Sequence, residues 1–161
     1  SGDACELDEV LTSFDAMLGK PVKFDTVFID APCSGTGTMR RHPEIPWRLT
    51  ENDVTTELPK LQLMMLKEAA ARVAAGGELI YATCSVFDEE NTQVVDAFLA
   101  SPEGACFTVA PLSEAQILQL PDFEQAKKLV FVRQNDRGLF QSVPVNADSY
   151  DGHFCARLIR K

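Results

Sequence analysis

The chain has 161 residues, of which 45% are hydrophobic and 24% charged, the composition of a globular protein long enough for one unit with its own core. Those fractions exclude disorder and fibrous repeats, and no apolar stretch is long enough to cross a membrane; the opening SGDACELDEV has neither a basic n-region nor an apolar h-region, so a cytoplasmic location is expected. A formal net charge of −9 opposes polyanion binding in bulk, but cations gather locally, with Arg40, Arg41, His42 and Arg48 in one segment and Arg157, Arg160 and Lys161 in another.

In chain order, FDTVFID (Phe24 to Asp30) is a short β-branched and aromatic run ending in a loop with Pro32, Gly35 and Gly37, and predicts a buried strand. Thr50 can cap a short acidic helix, and Pro59 can occupy the first turn of a longer one reaching about Ala75. Leu61, Met65, Ala69 and Val73, widened by Leu66 and Ala70, give that helix an apolar face, and Gly76 and Gly77 stop it. GELIYAT (Gly77 to Thr83) predicts a second strand. Asp88 opens a helix that buries Val94, Val95, Phe98 and Leu99. Beyond Ser101, CFTVA, KLVFVRQ and HFCARLIRK read as strands of an antiparallel edge, and SEAQILQL as a short helix. The alternation predicts an α/β fold with a mostly parallel sheet, residues 1–161 forming one unit.

Five cysteines without a secretory signal, none in a C-x-x-C pair, read as thiols rather than a disulfide framework, and no metal-ligand spacing is present. Cys5, Cys106 and Cys155 are expected to be ordinary buried thiols. Cys33 and Cys84 stand apart. The two predicted strands are parallel neighbours joined by a helical crossover, so their carboxyl ends share an edge, where open α/β sheets bind ligands. Cys33 follows the first strand and Cys84 the second, so both thiols converge on one cleft. Their loops, rich in small and hydroxyl residues, are compatible with a lowered thiol pKa.

Several cysteine chemistries fail on spacing. Cys33 and Arg40 are separated by six residues where a tyrosine-phosphatase loop needs five; Pro32-Cys33 lacks the second cysteine of a zinc deaminase; Gly35-Thr36-Gly37 lacks the lysine of a phosphate loop. A cysteine hydrolase would need a histidine, and neither segment contains one beside its cysteine.

Asp30-Ala31-Pro32-Cys33-Ser34-Gly35-Thr36-Gly37, followed by Arg40-Arg41-His42-Pro43-Glu44 and Trp47, resembles motif IV of the RsmB/Sun-type RNA (cytosine-C5) methyltransferases. Tyr81-Ala82-Thr83-Cys84-Ser85 with Glu89-Glu90-Asn91 resembles motif VI, and Asp151-Gly152-His153-Phe154-Cys155-Ala156-Arg157-Leu158 the family's closing element. The resemblance implies the C-terminal portion of a Rossmann-like class I methyltransferase fold. It also implies methyl transfer from S-adenosylmethionine to C5 of a cytosine in RNA, most often ribosomal RNA. In that scheme Cys84 is the nucleophile that adds to C6, Cys33 assists its release, and Asp30 faces the cytosine N3 and amino edge. Asp30 and Pro32 approach the cofactor, as does Asp3 in a segment resembling motif III. Arg40, Arg41 and Arg48 are the candidate RNA contacts. Trp47 could stack on a base, with core packing the expected role, and His42 and His153 are expected to be structural.

The glycine-rich cofactor loop and the ribose-binding acid of a complete methyltransferase do not occur in these residues. The N-terminal strands are therefore expected to be missing, residues 1–161 alone to be inactive, and the exposed edge of FDTVFID to favour self-association. The competing reading is a non-catalytic RNA-binding or assembly module that keeps the fold.

Overall fold

The computed structural model describes residues 4–113, 130–144 and 150–161; Asp3 and almost all of the predicted SEAQILQL helix lie outside them. After a 3₁₀ turn at Ala4–Glu6, helix α1 (Leu7–Leu18) ends on Gly19 in the left-handed conformation, φ 67°. Its anchor is Asp15, which accepts from Val22 N at 2.7 Å and pairs with the buried Arg72 guanidinium at 2.8 Å.

Strand β1 (Phe24–Asp30) falls where the apolar run predicts and pairs in parallel with β2 (Val73–Thr83), but it is not the buried strand expected: it lies at the edge of the described sheet and only Ile29 is buried. The crossover contains the short helix α2 (Ile45–Arg48), then a continuous helical run over residues 51–70 that includes α3 (Leu58–Ala70). Thr50 caps that run: its hydroxyl and backbone N–H both donate to Asp53 Oδ2, at 2.7 and 2.8 Å, and Asp53 N donates back to Thr50 Oγ1 at 3.2 Å. The two predicted helices are one because Asp53–Glu57 widens into a π turn, with Leu58 N donating to Asp53 O. The wider turn relieves the clash that Pro59 would otherwise make with the preceding turn.

Helix α3 stops at Ala70 rather than near Ala75. Phe24 N donates to Arg72 O at 2.8 Å and Val73 already faces Phe24 in the β1–β2 ladder, so strand pairing claims the residues that the helical period had claimed. Gly76, at φ 76°, sits inside β2 as an irregularity of that strand and not as a helix stop. Helix α4 (Thr92–Leu99) also starts later than Asp88, because the turn before it directs Glu90 and Asn91 inward.

The remaining strands form the expected antiparallel edge. Strand β6 (His153–Arg160) pairs with β2 on one side; on the other it pairs with β3 (Phe107–Val109) and β5 (Phe140–Pro144), and β5 pairs with β4 (Val130–Gln134). Strand β5 has no counterpart in the sequence reading. Leu66, Ala69 and Ala70 of α3, Val95 and Phe98 of α4, and Leu79, Tyr81, Ala156 and Leu158 of the sheet share one core. Arg157 and Arg160, read as part of a basic terminus, serve the fold: Arg157 pairs with Glu78, and Arg160 donates to Ala70 O and Val73 O at 2.9 and 3.0 Å while lying over the Phe107 ring. Among the described residues no helix is long and apolar enough to cross a membrane.

Candidate active site

The β1–β2 register sets the site. Asp30 lies opposite Ala82, and Ala31 N donates to Ala82 O at 2.9 Å, so the chains leave the sheet side by side. Cys33 and Cys84 then meet, with Sγ–Sγ 3.2 Å and both side chains half-buried. A cleft of about 300 Å³ opens beside them, lined by Cys33, Ser34, Ile45, Arg48 and Leu49. Burial, and then the hydrogen bond with Cys84, push the Cys33 thiol up to about 12 from its ordinary 9.0, the reverse of the lowered value its loop composition suggested. Cys33 is therefore a protonated thiol at neutral pH.

The loops are locked by contacts that spacing alone does not show. Gly37 N donates to Cys84 O at 2.8 Å and Gly152 N donates to Gly37 O at 2.9 Å, joining the first cysteine segment, the second and the closing element at one point. A Cβ on Gly37 would lie 2.1 Å from Gly152 O, so that meeting requires glycine. Gly35 turns the loop at φ 71°. Beneath the cysteines lies a buried polar network. Thr83 Oγ1 donates to Asn91 Oδ1 at 2.6 Å, Asn91 Nδ2 to Ser85 O at 2.9 Å, and Val86 N to Thr36 Oγ1 at 3.1 Å. At its centre is Glu90, fully buried and accepting from Ser34, Ser85 and Gln62. Sequence reading missed Glu90 as a site residue because Glu89-Glu90 looks like a solvated acidic pair; only its place in the family motif pointed to it.

The other predicted residues are dispersed. Asp30 is exposed at the end of β1 and lines a separate cleft of about 250 Å³ with Ala4, Leu7, Ile29 and Met65. Pro32 is exposed, and its carbonyl accepts from Gln62 Nε2 at 3.0 Å. Arg41 is held by Asp151, Nε to Oδ2 at 2.7 Å, and Arg40 approaches the same carboxylate at 3.8 Å; Arg48 faces the cysteine cleft. The Asp151 carboxyl is accordingly lowered, chiefly by its bond from Arg41. Trp47 is 89% exposed, which overturns the expectation of core packing: its four-residue helix presents it to solvent. His42 lies 3.4 Å from Glu44, and His153 Nδ1 lies 3.2 Å from Asp151 O, so both have partners that the sequence did not reveal. Cys5, Cys106 and Cys155 are half-buried rather than buried. Among the described residues no group of three or more potential ligands is gathered to hold a metal ion.

A family model described as 16S rRNA methyltransferase RsmB/F matches residues 2–159. Ribosomal RNA small subunit methyltransferase B of Salmonella arizonae is 39% identical over 140 residues, covering 86% of this chain and 27% of that protein. The protein of the same name from Escherichia coli O6:K15:H31 is 36% identical over 139 residues, again 86% of this chain and 27% of that one. The chain thus spans about a quarter of the length of these relatives. Among solved structures, PH0851 superposes with a TM-score of 0.72 at 32% identity, over 98% of this chain and 29% of that chain. A methyltransferase homolog from Pyrococcus horikoshii gives 0.64 at 21% identity, over 99% and 43%, a likeness of fold.

Proposed function

Because the chain belongs to the 16S rRNA methyltransferase RsmB/F family, we propose that it carries the cytosine-facing part of an S-adenosylmethionine-dependent RNA (cytosine-C5) methyltransferase acting on ribosomal RNA. The observation that carries this reading is the 3.2 Å contact between Cys33 and Cys84 at the lip of a cleft. C5 of cytosine is a weak nucleophile, and a thiolate added at C6 turns it into an enamine-like carbon able to take a methyl group. Cys84 is that thiolate. The cofactor, when bound, supplies an electrophilic methyl on a sulfonium. After transfer a base from solvent takes the C5 proton, the electron pair left behind re-forms the C5=C6 double bond, and the Cys84 sulfur leaves C6 as a thiolate. Cys33, kept protonated by burial and only 3.2 Å away, is placed to hydrogen-bond the departing sulfur.

Asp30 meets the cytosine N3 and amino edge, where addition at C6 builds negative charge. The residues present fit part of the cofactor: the cleft beside Asp30 has apolar walls in Leu7, Ile29 and Met65 for a flat ring, and Asp30 places a carboxylate at its rim. Asp30, Pro32 and Asp3 are the contacts this chain would contribute. Arg48 beside the cysteines, with Arg40 and Arg41, faces the RNA backbone.

RNA containing 5-fluorocytidine tests the assignment, since fluorine at C5 cannot leave as a proton does and the covalent protein–RNA adduct accumulates. With cofactor present, a full-length protein that contains residues 1–161 is expected to form the adduct, its Cys33→Ala variant to retain it and its Cys84→Ala variant to lose it. Residues 1–161 alone are expected to form none. An adduct that survives Cys84→Ala but disappears in Cys33→Ala reverses the roles. A non-catalytic RNA-binding module would form no adduct at all.

A further inference from the structure

Cys33 and Cys84 stand on separate loops, and a reaction that uses both needs those loops at one spacing. Backbone contact at Gly37 supplies part of the restraint. The rest converges on Glu90, whose side chain is 0% exposed. Its Oε1 accepts from Ser34 N at 2.8 Å and Gln62 Nε2 at 3.1 Å, and its Oε2 accepts the hydroxyls of Ser34 and Ser85. Ser34 is the residue after Cys33, and Ser85 the residue after Cys84. One carboxylate therefore grips the neighbour of each thiol. Its own position is set from outside both loops, because the Tyr81 hydroxyl of β2 donates to Glu90 O at 2.6 Å and Gln62 comes from α3. A carboxyl side chain suits the task, because it sets two oxygens side by side where Ser34, Ser85 and Gln62 donate.

We infer that Glu90 is a positioning residue for methyl transfer: by accepting from Ser34 and Ser85 together it holds the Cys33 and Cys84 loops at reacting distance, without itself touching substrate. This rests on the reading of Cys33 and Cys84 as the reacting pair. A glutamate that merely stabilised the core would lower the melting temperature when replaced and leave the thiol spacing of the folded protein unchanged. The clamp sets that spacing.

Spacing can be read without RNA or cofactor. Diamide removes one hydrogen from each of two adjacent thiols, is itself reduced to the hydrazine and leaves a disulfide; mass spectrometry of the full-length protein that contains residues 1–161, the same protein used for turnover, follows closure between Cys33 and Cys84. Assayed well below its melting temperature, Glu90→Ala is expected to slow both closure and kcat by about 100-fold, the size of effect that a misplacement of about 1 Å produces. Its KM for RNA should move by less than about threefold. Glu90→Gln, which keeps the volume and a carbonyl for Ser34 N–H, is expected to recover most of both rates. Wild-type closure and turnover in Glu90→Ala would overturn the inference, whatever its melting temperature. If Glu90→Ala does not fold, Ser85→Ala removes the Cys84-side donor alone and is expected to slow closure by about 10-fold; closure at the wild-type rate there also overturns it. Absence of methyl transfer by the wild type would remove the methyltransferase reading, while the closure rates would still decide the clamp.

Discussion

Gly37 and Cys33 illustrate two ways in which a single residue is fixed by its surroundings. Gly37 is fixed by space, with Gly152 O and Cys84 O where its side chain would be, at 2.1 and 2.8 Å from an added Cβ. Cys33 is fixed by charge: removal from water and the neighbouring thiol favour its neutral form. The folded value of about 12 lies above the ordinary 9.0, so the native state holds a proton that the unfolded chain releases in between. This contribution is complete below pH 9 and is lost as pH rises from about 9 toward about 12. Urea midpoints measured across that window should fall more steeply for the wild type than for Cys33→Ala; equal slopes would assign the alkaline loss to other groups. That these two cysteines meet was legible from strand order and loop position, which depend on sequence spacing. The raised thiol was not, because desolvation depends on what packs above the loop. Trp47 failed for a related reason: an aromatic residue in a short segment reads as core until the direction of a four-residue helix is known.

Periodicity located the helices and strands well in their middles and poorly at their ends. Within α3, Gln62 is as buried as Leu66, so the inward face runs beside the apolar stripe rather than along it. The period carries on through Val73, whereas the chain obeys the competing ladder with Phe24. Strand β5 was missed although a turn signal preceded it: Gly138, at φ 86°, donates to Asn135 O at 2.8 Å and closes the β4–β5 hairpin. The cap was the best-read boundary, because Thr50 and Asp53 satisfy the first orphan donors locally, without help from tertiary structure. Thr50→Ala is expected to cost about 1 kcal/mol in a denaturant titration. A variant indistinguishable from the wild type would mean that the helical run is held by packing alone.

At the scale of the whole molecule, one side of the sheet is left open. Strand β1 has no partner on its outer edge among the described residues, and Phe28 is 61% exposed. Phe14 and Met17 of α1 are 54% and 73% exposed. An unpaired edge beside exposed apolar side chains invites another strand. Residues 1–161 in isolation are expected to self-associate with rising concentration in sedimentation velocity, and Phe28→Lys to shift them toward monomer. A monomer at every concentration would show that the edge is protected.

The strand that completes the site is late in the chain. Cys33 and Cys84 are synthesised well before Gly152 and β6, yet Gly152 pins the Gly37 loop and β6 flanks β2 in the middle of the sheet. During translation the two thiols therefore remain ordinary side chains on an unfinished sheet until residues 152–160 arrive. A nascent chain stalled before that point would carry both cysteines without the glycine contact and the central strand that fix their loops.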